Sequence, residues 1–178
     1  MGFEIQKRDV AYQGRAFDVQ RLTVSLPDGT VRVYDLVQHN PSITVIPVTN
    51  EGQILFVRQY RMGAEETLLE LPAGVLDEGE DPMEGARREL REETGMDAGE
   101  LKLLGKAYLA PGYSSELMYF YLGRQLSPAP LEQDEDEFLH LESLTIEDSL
   151  GMARRGEFLD SKTLAAMFLA GKDLTGRD

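Results

Sequence analysis

The chain has 178 residues, 18 basic and 32 acidic side chains, a net charge of −14 and no cysteine. That length gives one domain or one and a half, enough to bury a real core. The charge argues against general nucleic-acid binding, which needs a basic footprint. The missing cysteines exclude disulfides and zinc–thiolate sites. The first twenty residues are too charged for a signal peptide, and no apolar run approaches the ~20 residues needed to span a bilayer, so the expected location is the cytoplasm and no membrane partner is expected.

Residues 3–39 read as strands, with Pro27-Asp28-Gly29 as a turn between two β-rich runs. Apolar parity changes in both runs: Phe17 and Val19 give way to Leu22, Val24 and Leu26, and Val31 and Val33 to Tyr34 and Leu36. Each change predicts a bulge or a strand passing between surfaces. Three short strands bury little by themselves, so this segment leans on the main domain or on a second subunit, or it extends one sheet. The boundary falls near Asn40-Pro41, giving a β-subdomain over residues 1–40 and a main domain over 41–178.

Residues 43–48 and 53–57 flank Asn50-Glu51-Gly52 in a hairpin pattern. Arg58-Gln59-Tyr60-Arg61 follows; its arginines are either solvated or matched to phosphate oxygens, which guanidinium forks bind two at a time. Residues 67–71 then form a strand running into Pro72-Ala73-Gly74. Next comes a helix with Asp81 as N-cap, Pro82 in the first position, Glu84 completing a capping box and Gly95 as the stop. Glu89, Glu92 and Glu93 fall at i, i+3 and i+4 on one face, beside an apolar stripe of Met83, Ala86 and Leu90. Three neighbouring carboxylates repel one another unless a hard dication takes up their charge, and magnesium suits such oxygen donors. A solvated acidic face is the alternative reading.

Residues 101–110 and 117–123 are further strands around Pro111 to Glu116. Residues 126–136 form an acidic loop ending in Asp134-Glu135-Asp136-Glu137, by residue type alone a solubilising run. Residues 138–141 are a last strand. Thr145 caps a helix carrying Ile146, Leu150 and Ala153, stopped by Gly156, and Asp160 or Ser161 starts another with Leu164, Met167 and Phe168 together.

Gly74, Glu80 and Arg88-Glu89-Leu90-Arg91-Glu92-Glu93-Thr94-Gly95-Met96 keep a fixed spacing over 23 residues. This stretch resembles the Nudix box at every defined position. Glu70-Leu71-Pro72-Ala73-Gly74, Pro111 fifteen residues beyond Met96, and Pro111 to Glu116 as Pro-Gly-x-x-x-Glu are similar to the ADP-ribose pyrophosphatase group of that family. The resemblance implies an α+β fold: a Nudix α/β/α sandwich with a mixed central sheet, plus a small N-terminal antiparallel β-subdomain exchanged within a homodimer. It implies that the Ala73 carbonyl, Glu89 and Glu93 hold metal, with Glu92 in the inner cluster and Arg88 orienting it. It implies that Arg61 contacts the diphosphate, that Arg58, Glu70 and Glu116 contact substrate, and that Glu135 or Glu137 activates the water. Two or three Mg2+ ions, or Mn2+, are the implied cofactors. A nucleoside diphosphate sugar is the implied partner: ADP-ribose, split to AMP and ribose 5-phosphate, or GDP-mannose. A non-catalytic ADP-ribose sensor is the reading outside enzymes.

Overall fold

The computed structural model describes residues 2–132 and 138–176. The chain forms two compact units, one of Met1–Pro41 with Tyr108–Leu117, the other of Ser42–Ala107 with Met118–Asp178.

The first unit is an antiparallel sheet of β1 (Glu4–Gln13), β2 (Asp18–Ser25) and β3 (Val31–Gln38), in that order. Its β2–β3 hairpin closes over Pro27-Asp28-Gly29: Gly29 has φ +84°, and Asp28 accepts from both the N–H and the hydroxyl of Thr30. That backbone angle suits glycine. The bulges do not sit where the parity changes predicted. β2 and β3 pair without a break from Asp18↔Gln38 to Ser25↔Val31, and the irregularities lie in the β1–β2 pairing, between Ile5 and Lys7 and between Val10 and Tyr12. The physical reason is that only Leu22 and Val24 of this sheet are buried, so no second core face fixes the parity of the other apolar residues. The segment 108–117 completes the unit through bonds from Val37 N–H to the Tyr113 carbonyl (2.7 Å) and from Ser115 N–H to the Val37 carbonyl (3.0 Å). β1 is exposed along its whole length, including Ile5, Val10 and Tyr12.

The second unit has the α/β/α layering that the resemblance implied. β4 (Ser42–Pro47), β7 (Ala73–Val75), β8 (Met96–Tyr108) and β9 (Leu117–Pro128) form a mixed sheet in the order β7-β4-β9-β8, with β4 parallel to β9 and antiparallel to β7. β5 (Gln53–Arg61), β6 (Glu66–Glu70) and β10 (His140–Thr145) form an antiparallel sheet in the order β10-β5-β6. Every residue of β4 is buried, which explains its near-continuous apolar run. Ile43 and Val45 join a core with Leu55, Leu76, Ala86, Leu90, Ala98, Tyr121 and Leu126. The turn at Asn50-Glu51-Gly52 forms, with Thr49 N–H donating to the Gln53 carbonyl and a bridge between Val48 and Ile54, but β4 and β5 then diverge into different sheets. Pro47 has no N–H to donate, and Val48 donates to Gly123 instead.

Helix α1 (Pro82–Thr94) packs on β4 and β7. Asp81 accepts from Met83 and Glu84 N–H, and Gly95 stops the helix at φ +70°. Two expectations for this helix change. Glu84 makes no return bond to Asp81 among the described residues; its carboxylate only complements the positive end of the helix. Met83 is exposed, so Ala86 and Leu90 anchor the helix while Glu89 and Glu93 fill the rest of its buried face. Helix α2 (Ile146–Arg155) starts at Thr145 and stops at Gly156. Helix α3 (Ser161–Leu169) starts at Asp160 and buries Lys162, Thr163, Ala166 and Met167, whereas Phe168 is exposed. A short α4 (Gly171–Thr175), which the sequence did not suggest, follows. Among the described residues no helix is long and apolar enough to cross a membrane.

Candidate active site

The site is built where α1 lies against β7. Helical spacing puts Glu89, Glu92 and Glu93 on one face, as the sequence implied. Glu89 and Glu93 are buried, at 8% and 4% exposure, and Glu92 is half-buried. Close approach to β7 depends on Gly74: a Cβ there would stand 1.9 Å from the Glu89 carboxyl group. Only a residue without a side chain leaves that carboxylate its place. The Ala73 N–H donates to Glu93 Oε2 at 3.1 Å, tying the strand to the helix from its other end.

Arg88 is the hub of the cluster. Its Nε and Nη2 fork onto the two oxygens of Glu80, each at 2.9 Å. Its Nη1 donates to Glu89 at 2.7 Å and to Glu92 at 3.0 Å, and Nη2 also reaches the Val75 carbonyl. The sequence suggested the bond to Glu92; the structure adds Glu80 and Glu89. These bonds hold the Glu80 carboxyl below its usual range and raise the Arg88 guanidinium further. Three carboxylates thus surround one guanidinium, a formal excess of two negative charges, while Glu93 on the same helix face accepts from the Ala73 N–H. The donor set is all carboxylate oxygen, which fits a hard dication and not a soft one. Among the described residues no three acidic or histidine side chains share one cation-sized point; the carboxylates converge on Arg88 instead.

The other expected site residues separate into groups. Arg61 forks onto Glu70, with Nε–Oε1 at 2.8 Å and Nη2–Oε2 at 2.6 Å. Burial pushes the Glu70 carboxyl up, but the Arg61 fork and the charge of Lys162 outweigh it and hold the group below its usual range. The Glu70 fork, aided by the charges of Glu70, Glu93 and Asp160, raises Arg61 against its own burial, so Arg61 shares the electrostatic neighbourhood of the box. Arg58 lies three residues before Arg61 on the same strand, which turns it to the other face, where it pairs with Glu142 at 2.5 Å. Glu116 belongs to the first unit, where its carbonyl accepts from Leu109. Glu135 and Glu137 lie outside the described residues.

Sequence reasoning missed Lys162, Asp160 and Thr163 as neighbours of Glu70 and Leu71. Lys162 bonds Glu70, and Thr163 Oγ1 accepts from Leu71 N–H at 2.9 Å. A signal was present: Lys162 and Ala166 recur at i and i+4 on the buried face of α3, followed by the buried C-cap Ala170, and a lysine on such a face needs an anionic partner.

Residues 38–167 match the profile of the NUDIX domain. The chain belongs to the Nudix family. An ADP-ribose pyrophosphatase of Bacillus subtilis (strain 168) is 36% identical over 162 residues, covering 90% of this chain and 88% of that protein. A GDP-mannose pyrophosphatase of Yersinia pestis (strain Pestoides F) is 31% identical and covers 74% and 70%. A crystal structure of an ADP compounds hydrolase superposes with a TM-score of 0.88 at 28% identity, covering 99% of this chain and 96% of that one. The chain is therefore a Nudix hydrolase. Enzymes of this family generally use divalent metal ions.

Proposed function

We propose that this Nudix hydrolase splits the diphosphate of ADP-ribose, adding water across the P–O–P bridge to give AMP and ribose 5-phosphate. The observation that carries the reading is the α1–β7 cluster, in which buried Glu89 and Glu93 flank the Arg88 hub with Arg61 in the same electrostatic neighbourhood. The substrate choice is supported by the 36% identical ADP-ribose pyrophosphatase. Glu89, Glu93 and the Ala73 carbonyl are the residues that would hold two or three Mg2+ ions, with Glu92 completing the acidic cluster. Bound there, the ions would neutralise diphosphate charge and make water more acidic. Arg88 donates to both Glu89 and Glu92, which would orient the donors before substrate arrives. Arg61 presents its guanidinium to a diphosphate oxygen. Glu135 or Glu137 takes the proton of the attacking water.

GDP-mannose is the second reading, favoured by the Yersinia pestis relative. A panel of nucleoside diphosphate sugars with magnesium separates the two. ADP-ribose should give the highest kcat/KM, and a tenfold preference for GDP-mannose would reverse the assignment. Binding of ADP-ribose without turnover would instead make the chain a sensor.

The first unit serves as a dimer contact in this reading. Its β1 exposes Ile5, Val10 and Tyr12 along an open edge, an arrangement that monomers avoid. Light scattering at micromolar concentration should give twice the chain mass, and deletion of residues 3–39 should give monomers or aggregates. A wild-type monomer would reject the dimer.

A further inference from the structure

We infer that Lys162 is a positioning residue, which acts through Glu70 to keep Arg61 available to an anionic substrate. The inference rests on the proposed role of Arg61 at the diphosphate. Lys162 is 9% exposed and Glu70 only 1%, and the two are bonded. Glu70 Oε2 therefore serves two cations, Lys162 and Arg61, while Oε1 takes Arg61 Nε. Lys162 also pairs with Asp160 at 3.0 Å, and Asp160 caps α3 by accepting from Thr163.

The arrangement has a charge logic. Arg61, Lys162, Glu70 and Asp160 sum to zero. Without Lys162 they sum to −1, with the excess directly behind the guanidinium that an anion must approach. The geometry points the same way. The fork uses Nε and Nη2 of Arg61, and Nη1 makes no hydrogen bond among the described residues, on a side chain that is 40% exposed. A carboxylate locked by a second cation cannot swing, so the free end of Arg61 keeps one direction. Glu70 itself is too buried to meet a ligand. What it contributes to binding passes through Arg61.

The helix fixes this corner twice. Lys162 holds the Glu70 side chain, and Thr163 holds the Leu71 backbone, one residue before Pro72 and two before Ala73. Loss of general support would lower stability and kcat together. Loss of Arg61 positioning would act on KM.

The test is the steady-state kinetics of Lys162→Met, alone and combined with Arg61→Ala, on ADP-ribose with saturating magnesium. The expected result is a KM about tenfold higher with kcat within about threefold, and no further rise in KM when Arg61→Ala is already present, because coupled residues are non-additive. An unchanged KM, or a full KM rise persisting in the Arg61→Ala background, overturns the inference. If Lys162→Met does not fold, Glu70→Gln is compared with Glu70→Gln plus Lys162→Met. Equal KM values support action through Glu70, and a further tenfold rise overturns it. If the wild type turns over no nucleoside diphosphate sugar, the functional reading fails separately, and the same comparisons are made on the Kd for ADP-ribose with metal chelated. No binding by the wild type overturns both.

Discussion

Glu93→Gln is expected to lower kcat about a hundredfold or more, the scale of losing several kcal/mol of charge stabilisation in a metal-assisted site. Glu93 is buried against β7 and accepts from Ala73 N–H. Glutamine has nearly the same shape, and its amide oxygen can accept that same N–H bond, so the contact between helix and strand survives. What is lost is the charge that a dication needs from its ligands. The substitution also removes one charge from the helix face that Glu93 shares with Glu89 and Glu92, so thermal stability should hold or rise. Activity against magnesium concentration and a thermal melt check both halves. Activity within a few-fold of wild type would remove Glu93 from the metal site.

Replacing the correct loop glutamate, Glu135 first and Glu137 second, with glutamine should lower the single-turnover rate roughly 10²- to 10⁴-fold, the usual span for a general base, with substrate binding nearly unchanged. A carboxylate that holds a dication is a poor base, because the ion stabilises its deprotonated form. In the proposed site Glu89 and Glu93 would be committed in this way, and Glu92 is engaged by Arg88. The attacking water needs an acceptor outside that set, and the family resemblance points to a glutamate of the acidic run at 134–137. Both single variants should be measured at saturating magnesium. If neither rate falls tenfold, the run is a solvated charge segment, and the base is either a box glutamate or absent.

The box helix was the most legible part of the chain, because its determinants are local. Asp81, Pro82 and Gly95 set its ends, and the 3.6-residue period set the carboxylate face. The strands were legible in kind, but their partners were not. The turn at residues 50–52 reads as a hairpin, yet β4 leaves to pair with β9, more than seventy residues away. Nothing local encodes that choice; burial of both faces of β4 enforces it. β7 is three residues long, too short for any period to register. The inner acidic cluster was readable because one helix carries it. The Arg61–Glu70–Lys162 group was not, because its members come from β5, β6 and α3 and meet only after folding. Separating Arg58 from Arg61 required knowing that both lie on one extended strand, which turns residues three apart to opposite faces.

The central claim, metal-dependent cleavage of a nucleoside diphosphate sugar at its diphosphate, is tested most directly by identifying the products formed from ADP-ribose by chromatography, with magnesium and with the metal chelated. The account predicts AMP and ribose 5-phosphate in equal amounts with magnesium and no turnover once it is removed. Equal turnover in chelator, or products that retain an intact diphosphate, would contradict it.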